Sequence, residues 1–227
     1  MKILVALLSV VILVSVASAE LLTTANPIGQ GKWAFAGAAM QDLNVTNNTS
    51  YNLTSLGCYA AYGATDKLDL YLNLGTASMG GLPSVAGVQL ATTLTALGLT
   101  AKYAIIEEGK DMPVSVGVGG GYKALTTNTT APAILGGNTT ANGSQILAGV
   151  GVSKVIIPFV PYGGLVYRSS ASGGATTSTQ LDLTVGSAIA WSKQGAVFVE
   201  YTMQSITPNG GTVYTSGQIG LSVAYAI

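Results

Sequence analysis

The stretch from Val213 to Ile227 alternates residue by residue between two kinds of side chain. Val213, Thr215, Gly217, Ile219, Leu221, Val223, Tyr225 and Ile227 fall on one face of an extended strand. Tyr214, Ser216, Gln218, Gly220, Ser222, Ala224 and Ala226 fall on the other. A barrel in water packs large aliphatics inward and turns long charged side chains outward. Here the second face is small and weakly polar, which suits a narrow interior better than a surface in water. The aliphatic face therefore has to meet lipid.

Composition agrees with that solvent. Charged residues make up 8% of the 227-residue chain and 30 residues are glycine, a surface that would dissolve poorly in water. Lys2, the apolar stretch Ile3 to Val16 and the small-residue pattern Ala17-Ser18-Ala19 read as a secretory signal peptide over residues 1–19, cleaved before Glu20. The remainder, 20–227, reads as one all-β domain. No later stretch is an apolar run of the roughly 20 residues that a helix needs to cross a bilayer. Closed barrels are the other structure that satisfies every backbone group in lipid.

Ten segments carry strand signals, bounded by turn residues. They cover about 31–41, 52–64, 68–74, 92–105, 114–122, 144–155, 157–168, 180–191, 196–203 and 213–227. The sharpest internal alternation sets Leu68, Leu70, Leu72 and Leu74 against Lys67, Asp69, Tyr71 and Asn73. Short links near 65–67, 107–112, 156–158 and 193–195 alternate with longer ones at about 42–51, 76–91, 126–143, 169–178 and 205–212. Four short turns and five long loops are what ten antiparallel strands require when both termini lie on one side. The expected fold is a closed antiparallel transmembrane β-barrel of ten strands. Merging the sixth and seventh strands leads toward an eight-stranded alternative. Aromatic residues on the lipid face form two girdles, Trp33, Tyr62, Tyr103, Trp191 and Tyr225 toward the short turns and Tyr122, Tyr167 and Tyr201 toward the long loops.

With the signal peptide, the hairpin "YGATDKLDLYLNLG" at 62–75, "GLTAKYAI" at 98–105 and the terminal "GQIGLSVAYAI", the chain resembles the small bacterial outer-membrane β-barrel proteins, the group that includes outer membrane protein A-like domains. The resemblance implies residence in the outer membrane with both termini in the periplasm. It also implies recognition of the last strand by the barrel-assembly machinery. Tyr225 stands where an aromatic is expected, and Ile227 replaces the usual terminal Phe.

Lumen-side parity assigns six charged residues to the interior, Asp69, Lys102, Lys123, Arg168, Asp182 and Glu200. Asp69 and Lys102 lie at similar heights on adjacent strands, a placement that permits a pair across the wall. The six read as a self-neutralising polar network or as the lining of a narrow water path. The chain contains no histidine, and its Thr- and Asn-rich loops hold no acidic cluster, so no catalytic set, metal site or cofactor is expected. No basic patch points to nucleic acid. The single cysteine, Cys58, shares a face with Leu56, Ala60 and Tyr62 and reads as an apolar filler. Two functions fit: a narrow passive pore or structural envelope component, and a surface-interaction barrel that engages an extracellular ligand through its uncharged loops.

Overall fold

The computed structural model describes residues 24–45, 52–80, 91–109, 111–130, 137–172, 175–209, 211 and 213–227. The signal peptide expected over 1–19 lies outside them. Among the described residues the strands are β1 (Trp33–Val45), β2 (Asn52–Gly63), β3 (Leu68–Gly80), β4 (Ala91–Ile106), β5 (Ser115–Thr130), β6 (Thr139–Ser153), β7 (Phe159–Ser172), β8 (Ala175–Ala190), β9 (Gly195–Pro208) and β10 (Tyr214–Ala226). Each pairs antiparallel with its neighbours in sequence, and β1 pairs with β10 to close a ten-stranded barrel. The seam ends in two backbone bonds, Trp33 N to Ile227 O at 3.0 Å and Ile227 N to Trp33 O at 2.8 Å. The structure thus has ten strands and not eight, with β6 and β7 separate and paired from Ser153↔Tyr162 to Gly143↔Ser172.

Alternation along each strand produces two solvents. On β4, Leu97, Leu99, Tyr103 and Ile105 are exposed, while Leu94, Ala96, Thr100, Lys102 and Ala104 are buried. The outward apolar run from Leu97 to Ile105 covers about 26 Å of strand at about 3.3 Å per residue. Tilted by about 40°, that is an apolar band about 20 Å tall.

The strands are longer than the apolar alternation suggests. Residues 76–80, 126–130, 139–143, 169–172, 175–178 and 205–208, expected in loops, belong to paired strands. The link expected over 169–178 shrinks to 173–174, so the contrast between long and short links largely disappears. The physical reason is that apolar alternation stops where lipid stops, whereas the backbone ladder continues. Threonine, abundant in these extensions, favours the extended conformation. The result is a polar crown of sheet standing above the apolar band.

Charge is segregated between the two ends. Lys32, Asp66, Lys67, Glu107, Asp111, Lys154 and Lys193 are exposed, and all lie beside the short turns and the chain termini. In the crown, Asp42 is the one charged side chain among the described residues, and it is turned inward and buried. The crown links 46–51, 81–90, 131–136, 173–174, 210 and 212 contain no Asp, Glu, Lys or Arg at all.

Lipid contact makes a directional prediction. Leu99→Arg, in the apolar band, should lower unfolding free energy by about 2–4 kcal/mol, and Thr207→Arg, in the crown, by no more than about 1 kcal/mol. Urea unfolding of protein refolded into vesicles measures both.

Candidate functional site

A charge placed on the inward face cannot reach bulk water, so it must find a partner. Asp69 on β3 and Lys102 on β4 are direct cross-strand partners. The ammonium lies 3.2 Å from Asp69 Oδ2, and both side chains are almost completely buried. This pair also holds a third element. Lys102 Nζ donates to the carbonyls of Thr24 at 3.0 Å and Asn26 at 2.8 Å. The Ile28 backbone N–H donates to both carboxylate oxygens of Asp69, at 3.1 and 3.2 Å. The Tyr71 hydroxyl donates to the same carboxylate at 3.4 Å, and its ring centroid lies 5.7 Å from the Lys102 ammonium.

The segment Thr24–Gln30 therefore folds back into the barrel mouth before β1 begins. Gly29 and Gly31, at φ of 98° and 76°, make the reversal in a conformation that residues with a Cβ rarely adopt. Gly63 leaves the doorway open, since a Cβ there would stand 1.9 Å from the Gly29 carbonyl oxygen. Inside, Ile28 packs on Ala34, Ala36, Tyr59, Ala61 and Tyr71. The segment ends across the mouth, where the Ala25 N–H donates to Ser153 Oγ on β6 at 3.0 Å and the Ser115 hydroxyl of β5 donates to Asn26 Oδ1.

Further networks fill the lumen. Arg168 Nε donates to Asp182 Oδ2 at 2.6 Å, and its Nη1 donates to Gln145 Oε1 at 3.3 Å. Gln145 Nε2 in turn donates to Ser170 Oγ at 3.1 Å, and Gln180 donates to the second oxygen of Asp182. The Tyr162 hydroxyl donates to Glu200 Oε2 at 3.0 Å, with Phe198 edge-on to the Tyr162 ring. Gln204 donates to Gln218 Oε1 at 2.9 Å, and the Thr184 and Thr202 hydroxyls bond at 2.8 Å. Lys123 is buried, its stem against Gly98.

All six charged residues assigned to the interior are therefore buried, at 0 to 5% exposure. Asp182 and Glu200 are not brought together. Asp182 is opposite Gln204 and Glu200 is opposite Gly186, so each carboxylate belongs to its own network. The aromatics assigned to the outer face point outward. Trp33, Tyr103, Tyr122, Tyr167, Trp191, Tyr201 and Tyr225 are exposed, and Tyr62 is half-buried against Trp33 at a ring distance of 4.9 Å. Tyr167 lies one outward position from Ser169, and Tyr122 and Tyr201 lie two from Thr126 and Ser205, which are the first polar residues above the band.

Sequence reasoning missed the lumen tyrosines and glutamines. Tyr71, Tyr162, Gln180 and Gln204 share parity with the interior charge on their own strands, which was a usable signal, whereas Tyr59 on β2 and Gln145 on β6 stand on strands that carry no charge. It also missed the inward segment, marked only by the Gly29-Gln30-Gly31 turn chemistry between the cleavage pattern and the first strand.

A closed antiparallel barrel with an apolar outer band and a polar, hydrogen-bonded interior fits a lipid bilayer. The fold is that of a bacterial outer-membrane β-barrel. Among solved structures, the translocator domain of the autotransporter NalP from Neisseria meningitidis is similar at a TM-score of 0.53 and 16% identity, over 87% of this chain and 88% of that one. The β domain of the Bordetella autotransporter BrkA is similar at a TM-score of 0.52 and 13% identity, over 87% of this chain and all (100%) of that one. No protein-family model matches the sequence, and no curated protein matches it.

The Asp69–Lys102 pair should anchor the inward segment. Asp69→Asn or Lys102→Met, each leaving one buried partner uncompensated, should cost about 3–5 kcal/mol of stability. Hydrogen exchange should accelerate at the Ala25 and Ile28 amides in both variants, while exchange in β8 and β9 stays slow.

Proposed function

We propose that this outer-membrane barrel is closed to solutes and acts through its wall and crown, as a non-enzymatic structural and surface-interaction component of the envelope. The observation that carries this reading is the condition of the lumen. Arg168, Lys123, Gln145, Gln204 and Asn73 are at most 2% exposed, whereas residues lining a water path would retain accessible surface. The segment Thr24–Gln30 lies across the mouth as well. Ten strands leave more interior than eight, and here large polar side chains and a piece of backbone occupy it.

The proposed orientation follows from charge and from the termini. The charged turns and both chain ends face the periplasm, and the uncharged crown faces outward. In this arrangement β10, with Tyr225 near its end, is presented to the barrel-assembly machinery from the periplasmic side. The crown supports the surface role, because its outward Thr, Asn and Ser side chains offer donors and acceptors without attracting or repelling ions.

Protein refolded into a planar bilayer should leave the membrane electrically silent across applied voltages. Reproducible conductance steps from heat-modifiable, correctly folded protein would overturn the closed barrel and restore the passive pore.

A further inference from the structure

The outer wall is not uniformly convex. Between β10 and β4 it carries a groove of about 510 Å³, within the range of about 300–1,000 Å³ typical of small-molecule sites. Its floor is formed by small outward residues, Gly37 opposite Cys58, and Ala60 opposite Phe35. Phe35, Val223 and Tyr225 raise one bank, and Leu72, Leu74 and Leu97 raise the other. All of these lie within the apolar band, so no aqueous ligand reaches the groove.

The groove does not end in apolar wall. A second depression, sharing Cys58 and Leu74 with the first, continues upward to Thr76 and Thr95. These two threonines are cross-strand partners and begin a row that continues to Thr126 and Asn142. One step higher runs a parallel row across six strands, Gln41, Thr54, Ser78, Thr93, Asn128 and Thr140. Members of the rows bond to each other, Thr54 to Gln41 at 3.0 Å and Thr140 to Asn128 at 2.8 Å. Rows of this kind present hydroxyls and amides at the strand spacing of about 4.8 Å.

From these two features we infer that the groove is a binding site for one lipid whose head group is uncharged and hydroxyl-rich, a neutral glycolipid. One acyl chain lies over Gly37, Cys58 and Ala60, and the sugar rests on Thr76, Thr95 and the row above. The head-group chemistry follows from the segregation of charge. A net-anionic head group would find no counter-charge, because no Lys or Arg stands on the crown or in any of its links. Hydroxyls are matched by hydroxyls and amides, with no desolvated ion left unpaired. The inference rests on the membrane setting of the outer face and is independent of whether the lumen conducts.

Protein refolded into phosphatidylcholine nanodiscs containing equal amounts of monogalactosyl diacylglycerol and phosphatidylglycerol is released for native mass spectrometry. The barrel should retain the galactolipid at one copy, about tenfold in preference to phosphatidylglycerol, the discrimination that one or two net hydrogen bonds provide. Equal retention of both lipids, or preferential retention of phosphatidylglycerol or of the phosphatidylcholine host, overturns the site.

Two variants separate groove from head row. Gly37→Leu fills the groove, and since a Cβ there meets nothing within 4 Å, the barrel should fold as before and lose the retained lipid. Thr76→Val with Thr95→Val, both on exposed positions, should keep acyl occupancy and lose the preference for galactolipid. Unchanged retention in Gly37→Leu, or an unchanged preference in the double variant, also overturns the proposal. Failure of the wild-type chain to fold in any bilayer, seen as absent heat-modifiable mobility, would instead overturn the membrane reading beneath it.

Discussion

In hydrocarbon an unpaired backbone N–H or C=O has no water to turn to, and the whole molecule is organised by that cost. A sheet of ten strands has two edges, and here they are spent on each other, β1 against β10 from Ala34↔Ala226 upward. Closure then dictates the rest. Antiparallel closure with ten strands returns both termini to one end, and within the apolar band alternation assigns each strand residue either to lipid or to the lumen. Glycine helps the ladder keep its register. Gly121 approaches the Leu99 carbonyl so closely that a Cβ would lie 2.5 Å from it.

Once inward-facing charges are cut off from bulk water, they become the organising elements of the lumen. Asp69 with Lys102, and Arg168 with Asp182, are neutral in sum and satisfied by neighbouring amides and hydroxyls. Such networks rigidify when complete and are costly when broken. The first pair does more than fill space. Lys102 has donors left over and Asp69 has acceptor capacity left over, and the backbone of Thr24–Ile28 meets both. A short segment without secondary structure of its own thereby obtains a fixed place, with the N–H groups of Ala25 and Ile28 and the carbonyls of Thr24 and Asn26 partnered inside the barrel.

The outer surface divides into three levels with different partners. Charged turns beside the termini exchange ions with water, the apolar band meets acyl chains, and the crown meets its surroundings through neutral hydrogen bonds alone. Function at such a wall is set by what can sit against it. The groove over Gly37 and Cys58 and the threonine rows above it are the places where that wall departs from a plain annulus.

Much of the barrel was legible in the chain because lipid enforces period-two patterning. Leu68 to Leu74 and Val213 to Ile227 announce their faces, and the parity that placed Asp69, Lys102 and Arg168 inward needs no tertiary information. The crown was not legible as strand, because Thr126 to Thr130 and Thr139 to Gly143 carry polar side chains on both faces and their pairing leaves no apolar trace. Nor was the inward path of Thr24–Gln30, which depends on the Gly63 doorway and on a Lys102–Asp69 pair brought together across two strands. What the sequence determined by itself was solvent and face, since these follow from local alternation and turn chemistry. The Asp69–Lys102 pair was visible from strand register, whereas the choice of ten strands over eight, the remaining partners of the buried charges, the filling of the lumen and the groove on the wall were decided by the tertiary structure. They arise from contacts between residues far apart in the chain, which become neighbours only when the sheet closes.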